Sequence, residues 1–165
     1  MLMKRILFVC TGNTCRSSMA EGFFNELIKT VPGLSGYIGE SAGLTACEGD
    51  CASTEAVEVL MSEWNIDLSG HRARCLNQSI LKDSYIILTM TRQHKEMILN
   101  VFPELEPVTF TLMEYAYGRK TNSKEKEYDF TLDILDPYGM NRQVYLKCAR
   151  QIKDAVDKLV GLIRH

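Results

Sequence analysis

The chain has 165 residues, a formal net charge of −2, 45% hydrophobic residues and 24% charged residues. That length suits one compact domain with a sizeable core, and we expect residues 1–165 to form a single domain. The mildly acidic balance argues against a nucleic-acid partner, and no apolar run is long enough to cross a bilayer. Polar residues follow the short N-terminal apolar run too soon for a signal peptide, so we expect a cytoplasmic protein without a membrane partner.

The chain reads as strands that alternate with helices. Apolar runs, continuous or alternating, predict strands at 4–9, 37–43, 84–91 and 108–112. Apolar side chains at helical spacing predict a helix between the first two strands and further helices at 53–65, 92–102 and 141–165. This alternation predicts an α/β fold, a single three-layer α/β/α domain with a four-stranded parallel sheet. Ligands bind such sheets beyond the carboxyl ends of the strands.

Two further features of the sequence, a long polar segment and the set of cysteines, need a separate interpretation. Residues 118–139 are polar and lack periodicity, so we expect mostly loop there, and loops of that length are often functional. Six cysteines are spread along the chain: Cys10, Cys15, Cys47, Cys51, Cys75 and Cys148. Without a secretory signal they do not predict disulfides, and their spacing from one another and from the histidines does not suit zinc. We therefore expect no metal.

The turn after the first strand is rich in groups that bind oxyanions: Cys10, Thr11, Gly12, Asn13, Thr14, Cys15, Arg16 and Ser17. Its backbone N–H groups and those of the following helix can form a nest for phosphate, and Arg16 adds a planar fork of donors. Gly12 permits an unusual backbone angle, and Asn13 tolerates the left-handed region. The turn lacks the GK[ST] ending of nucleotide-binding loops, which disfavours ATP.

Cys10 makes this turn a candidate catalytic loop rather than a simple phosphate receptor. A helix N-terminus and a neighbouring arginine favour the thiolate, which can attack phosphorus in line and form a cysteinyl-phosphate. Ser17 can donate a hydrogen bond to the sulfur and help it to leave. The alternative is that Cys10 is only a buried thiol at the end of a strand.

The stretch VCTGNTCRSSMAEG resembles the signature loop of the low-molecular-weight protein tyrosine phosphatases. The resemblance extends over the whole chain, including SAG at 41–43, SGHRARCL at 69–76, LTMTRQHKEMI at 88–98 and LDPYG at 135–139. It implies a phosphatase P-loop after strand 1, phosphorylated proteins as partners and no cofactor. Ser18 stands where the family usually has proline, which predicts a slightly softer loop. The oligomeric state is open, with a monomer as the default.

The resemblance also implies a catalytic acid. Asp136 in LDPYG matches the family residue that protonates the leaving group and then activates water. Asp133 lies outside that pattern, and we rank it lower. Three other polar residues, His71, Arg72 and Arg74, are expected to lie at the surface or behind the loop without an assigned role.

Thr11 bears on which phosphorylated residue is the substrate. Family members that act on phosphotyrosine usually have leucine or isoleucine there, and an aromatic residue where this chain has Cys47. Threonine at positions 11 and 14 is similar to the protein arginine phosphatase branch. In that interpretation Asp136 pairs with the substrate guanidinium and Tyr138 provides a wall for it. The alternative is a protein tyrosine phosphatase of the same family.

Two other classes are weaker alternatives. An arsenate reductase shares this loop and fold, but it needs two further cysteines close together, and residues 76–147 contain none. A phosphopeptide-binding module would not need Cys10 and Asp136 together.

Cys15 has two interpretations. It can form a disulfide with Cys10 that protects the nucleophile from further oxidation. Otherwise it is a small residue that contributes only its backbone N–H group.

Overall fold

A computed structural model describes residues 2–118 and 130–164. Its centre is a sheet of four parallel strands: β1 Lys4–Cys10, β2 Tyr37–Gly43, β3 Ile86–Thr89 and β4 Thr109–Thr111. The strand order is β2-β1-β3-β4, so the chain moves from β1 to one side and later returns to the other. The carboxyl end of β1 therefore lies at a topological switch point, where such sheets bind ligands.

Among the described residues, six helices pack around the sheet: α1 Arg16–Ile28, α2 Thr54–Trp64, α3 Gln78–Lys82, α4 Arg92–Val101, α5 Leu112–Tyr117 and α6 Arg142–Ile163. The same residues contain 3₁₀ turns at Pro103–Val108 and Phe130–Leu132. Side-chain oxygens of Ser53 and Asn141 accept hydrogen bonds from the first turns of α2 and α6. These N-caps fix where each helix begins, because they satisfy backbone donors that have no partner within the helix.

Successive side chains of β1 point to opposite faces of the sheet and so contribute to two separate apolar cores. Ile6 and Phe8 face the larger core, which is formed with α1, α2, α5 and α6. Leu7 and Val9 face the smaller core, which is formed with α3, α4 and the 3₁₀ turn at Pro103–Val108. Because β1 is covered on both faces, its sequence reads as a continuous apolar run. The three-layer α/β/α fold with a four-stranded parallel sheet is confirmed.

The predicted elements differ from the observed ones mainly at their ends. The third strand was expected at 84–91 but spans only Ile86–Thr89. Helices α3 and α5 were not predicted, because five or six residues are too few to establish a helical period. Within the segment expected to be loop, residues 119–129 lie outside the described part of the chain. Among the described residues, no helix is both long and apolar enough to cross a membrane.

Candidate active site

The turn between β1 and α1 forms the floor of a cleft of about 270 Å³. Residues 10–12 and 14–16 line it from below. Its walls come from two other places in the chain: Thr45, Cys47 and Asp50 after β2, and Asp136 and Tyr138 before α6. The fold thus brings the predicted loop and the predicted acid to one cleft, although they are far apart in sequence.

The loop is held from outside through its carbonyl groups. Four carbonyls accept hydrogen bonds from neighbouring segments: Cys10 from Leu44 N, Thr11 from Thr45 N, Asn13 from His71 Nε2, and Thr14 from Ser53 N. In a trans peptide the N–H group points away from the carbonyl oxygen. The N–H groups of the four residues that follow these carbonyls are therefore turned toward the cleft, as an oxyanion nest requires.

Asn13 is the centre of the hydrogen-bond network beneath the loop. It is fully buried, and its amide group donates to Ser17 Oγ and Ser41 Oγ, each at 2.8 Å. Its Oδ1 accepts from the Arg74 backbone N–H at 2.9 Å. His71 and Arg74, which had no role assigned from their sequence pattern, therefore hold the loop through Asn13.

The unusual backbone angle belongs to Asn13 and not to Gly12. Asn13 has φ 57°, in the left-handed region, whereas Gly12 lies outside that region. Gly12 permits such an angle but does not adopt the left-handed region, whereas Asn13, which tolerates that region, does. The left-handed turn at Asn13 directs its backbone N–H at the Cys10 sulfur, 3.3 Å away.

The Cys10 sulfur is buried and surrounded by donors. Ser17 Oγ lies 2.9 Å from it, and the side chain of Cys10 is 3% exposed. Because Ser17 Oγ already accepts from the Asn13 amide, its own hydrogen is available for the sulfur. Two donors from Asn13 and Ser17 thus converge on one sulfur atom, an arrangement that stabilises a thiolate.

Arg16 joins the loop to the segment that carries Asp136. One guanidinium nitrogen donates to the Ile134 carbonyl at 2.9 Å, and the other lies 3.3 Å from Asp136 Oδ2. Arg16 is almost fully buried, whereas the Asp136 side chain is half exposed to the cleft. The Asp136 Oδ1 atom accepts from the Tyr138 N–H, which fixes the turn at the top of the cleft.

Asp133 has a different environment. Its Oδ1 accepts a hydrogen bond from the Arg92 backbone N–H at 2.8 Å, at the start of α4. This contact, together with the Ile134 N–H bond to the Met90 carbonyl, fastens the segment before Asp136 to the end of β3.

Cys15 in the loop and Ser18 in the first turn of α1 are both buried. The Cys15 sulfur lies 3.3 Å from Tyr145 OH and 3.5 Å from Ser53 Oγ. Ser18 Oγ donates to the Cys15 carbonyl at 2.8 Å, a bond that the proline usual in this position cannot make. Burial raises the pKa of the nearby Cys148 thiol to about 12, so that thiol stays protonated.

His94 is the residue at this site that sequence reasoning missed. Its Nε2 lies 3.0 Å from Thr11 Oγ1, and its side chain is 94% buried in the first turn of α4. Burial, and after it the positive charge of Arg16, lower the pKa of His94 to about 4. The imidazole is therefore neutral at neutral pH. Asp50 and Thr45 on the wall of the cleft were missed as well.

Gly43, the last residue of β2, allows the loop to pack closely against the sheet. A β-carbon at this position would lie 2.6 Å from the Thr11 carbonyl oxygen and 2.9 Å from the Asn13 nitrogen. We expect Gly43→Ala to lower the free energy of unfolding by about 1–3 kcal/mol, because backbone atoms must shift. A loop displaced by about 1 Å should also lower kcat/KM for an aryl phosphate by about 10²-fold.

Denaturant unfolding and aryl phosphate hydrolysis measure both effects of Gly43→Ala. Gly70→Ala is the matched control, because a β-carbon at Gly70 meets nothing within 4 Å. Wild-type stability and turnover in Gly43→Ala would show that the loop does not depend on this close contact.

Comparison with known proteins identifies the family and agrees with the fold. The family model for low molecular weight phosphotyrosine protein phosphatase matches residues 5–165. A protein-arginine-phosphatase from Geobacillus stearothermophilus is 36% identical over 155 residues, which are 94% of this chain and 93% of that protein. The low molecular weight protein-tyrosine-phosphatase PtpB from Staphylococcus epidermidis is also 36% identical, over 94% of this chain and 96% of that protein.

A solved structure of the same family has a similar fold. The low molecular weight protein tyrosine phosphatase from T. tengcongensis has a TM-score of 0.84 and 42% identity, over 96% of this chain and 99% of that chain. The fold and these relatives define the protein as a cysteine-dependent phosphoprotein phosphatase. The chain belongs to the low molecular weight phosphotyrosine protein phosphatase family, and the resemblance found in its sequence is confirmed.

Proposed function

We propose that this phosphatase removes phosphate from phosphoarginine side chains of proteins, with Cys10 as the nucleophile. The observation that carries this proposal is the hydroxyl of Thr11, which is held by His94 in the cleft that Cys10 also lines. A polar group at this point suits a leaving group with N–H donors better than an aromatic ring. Two relatives at 36% and 35% identity are named protein-arginine-phosphatase, which supports the same substrate.

The first step transfers the phosphoryl group to the enzyme. The Cys10 thiolate attacks phosphorus, the new S–P bond forms as the P–N bond to arginine breaks, and Asp136 gives its proton to the leaving nitrogen. We assign phosphate binding to the loop residues Thr11, Gly12, Asn13, Thr14, Cys15, Arg16 and Ser17. The N–H of Asn13 donates to the Cys10 sulfur, and the other N–H groups of the loop bind the phosphate oxygens together with the guanidinium of Arg16. They stabilise the charge on the equatorial oxygens in the transition state.

The second step releases inorganic phosphate. The Asp136 carboxylate takes a proton from water, and the resulting hydroxide attacks phosphorus as the S–P bond breaks. The hydroxyl of Ser17, 2.9 Å from the sulfur, stabilises the departing thiolate. Neither step requires a cofactor or a metal, because the thiolate is the nucleophile and the loop supplies the positive charge.

Two other groups on the wall of the cleft suit a guanidinium. Asp136 can pair with it as the carboxylate forms, and the exposed ring of Tyr138 can stack on its planar face. Asp50 adds a second negative charge at the opening. Together they give the cleft the charge that a cationic leaving group requires.

The test compares wild type and Thr11→Ile on one peptide carrying either phosphoarginine or phosphotyrosine. We expect wild type to prefer phosphoarginine, and Thr11→Ile to lower the ratio of kcat/KM values for the two peptides by about 10-fold or more, since the hydroxyl is lost. Thr131→Ile is the matched control, because Thr131 is exposed and lies outside the cleft.

A protein tyrosine phosphatase of the same family is the second candidate. Two relatives support it, because the 42% identical structure from T. tengcongensis and PtpB are both named tyrosine phosphatases. Preference of wild type for phosphotyrosine, with no change in the ratio on Thr11→Ile, would replace the arginine proposal with this one.

Three further expectations stay part of the proposal. Residues 1–165 act as one phosphatase domain, in the cytoplasm, on phosphorylated proteins. Under oxidation Cys15 bonds to Cys10 and protects it. Mass spectrometry after mild peroxide tests that bond, and overoxidised Cys10 without a Cys10–Cys15 disulfide would contradict it.

A further inference from the structure

A buried histidine contacts the rim of the cleft without belonging to the phosphate-binding loop. His94 sits in the first turn of α4, where its backbone N–H donates to the Thr91 cap at 3.2 Å. This cap fixes the turn and directs the imidazole toward Thr11 Oγ1, 3.0 Å from Nε2. Nδ1 is buried and has no hydrogen-bond partner among the described residues.

The unpartnered Nδ1 indicates which ring nitrogen carries the proton. A neutral imidazole has one N–H and one bare nitrogen. A buried N–H without an acceptor is rarer in proteins than an unsatisfied acceptor, so the bare nitrogen is Nδ1. Nε2 therefore carries the hydrogen and donates it to Thr11 Oγ1.

We propose that His94 is a positioning residue for substrate selection: it donates from Nε2 to Thr11 Oγ1 and so fixes the Thr11 hydroxyl as a polar contact for the leaving group. This inference rests on the proposed function. With one lone pair of Oγ1 occupied by His94, the other lone pair stays available to a ligand in the cleft that Thr11 lines. The guanidinium of phosphoarginine can donate to that lone pair, which an aryl ester cannot do.

The neutral state of the His94 ring also favours a guanidinium as the leaving group. Three charged groups act on the ring: Arg16 disfavours its protonation, whereas Asp133 and Asp136 favour it. Burial, with Arg16 acting in the same direction, outweighs the two carboxylates, and the ring stays neutral at neutral pH. An imidazolium next to Thr11 would repel a guanidinium, so a neutral donor is the form that a cationic leaving group tolerates.

The first experiment is a double-mutant cycle on Thr11→Val and His94→Leu. The measured quantity is the ratio of kcat/KM for a phosphoarginine peptide to kcat/KM for para-nitrophenyl phosphate. We expect each single substitution to lower this ratio by about 10-fold and the double variant to lower it no further, because both remove one interaction. Additive losses, about 100-fold together, would overturn the proposal, as would equal losses on both substrates.

Two more variants separate positioning from folding. His94→Gln keeps an N–H donor close to the position of Nε2 and should restore most of the ratio, whereas failure to do so counts against the proposal. Gln93→Leu is the matched control, because Gln93 is exposed on the same helical turn, and its ratio should equal that of wild type.

Nitrogen-15 NMR of wild type tests the contact without any variant. The imidazole of His94 should carry its proton on Nε2 at neutral pH, and a proton on Nδ1 would overturn the proposal. Wild type that hydrolyses para-nitrophenyl phosphate but not phosphoarginine would instead overturn the proposed function. Wild type that hydrolyses both, with an unchanged ratio in His94→Leu, would overturn only the role of His94.

Discussion

Cys10→Ala is expected to lower the turnover number by about 10⁶-fold, the scale of loss when a covalent nucleophile is removed from an enzyme. The physical reason is that the proposed mechanism places the phosphoryl group on the Cys10 sulfur, which the loop holds at the floor of the cleft. Its two donors, Asn13 N–H and Ser17 Oγ, lie 3.3 Å and 2.9 Å away. Steady-state hydrolysis of an aryl phosphate measures the effect.

The loop itself should survive this substitution. Alanine leaves the carbonyl bonds that hold the loop in place, so Cys10→Ala should still bind inorganic phosphate. Cys75→Ala is the matched control, because Cys75 is half-buried outside the cleft, and its turnover should equal that of wild type. Turnover by Cys10→Ala within 10-fold of wild type would contradict a covalent mechanism.

Asp136→Asn is expected to lower kcat by about 10²–10⁴-fold with little change in phosphate binding. Asparagine preserves the size of the side chain but cannot give a proton to the leaving group or take one from water. The loss should be larger for a phosphoarginine peptide than for para-nitrophenyl phosphate, whose leaving group departs more readily without a proton.

Asp133→Asn is the control for Asp136→Asn. Its amide keeps the oxygen that accepts from the Arg92 N–H, so the anchor at α4 remains. We expect kcat for Asp133→Asn to stay near that of wild type. A loss in Asp133→Asn that matches the loss in Asp136→Asn would mean that the segment acts through its conformation and not through proton transfer.

The sequence predicted those features that depend on neighbouring residues. The apolar run of β1, the loop at 10–17 and the start of α2 at its Ser53 cap can all be derived from local pattern, since each is built from residues close in the chain. The family resemblance supplied Asp136, which local pattern alone could not distinguish from Asp133.

Contacts between distant residues could not be predicted in the same way. His94 contacts Thr11, which lies 83 residues earlier in the chain. The sequence around His94 indicates only an amphipathic helix. The close approach of Gly43 to the loop depends on the register of β2 against β1, in which Gly43 pairs with Cys10. The sequence offered Gly12 and Asn13 as residues able to take a left-handed angle, and only the folded loop shows that Asn13 takes it.

Rapid-quench mass spectrometry of the enzyme mixed with a phosphoarginine peptide tests the central claim most directly. If phosphoarginine is hydrolysed through Cys10, peptide mapping finds one phosphoryl group on Cys10 within the first turnover, and that adduct decays as inorganic phosphate appears. Release of phosphate from phosphoarginine with no adduct on Cys10, or no reaction with phosphoarginine while a phosphotyrosine peptide labels Cys10, would contradict this account.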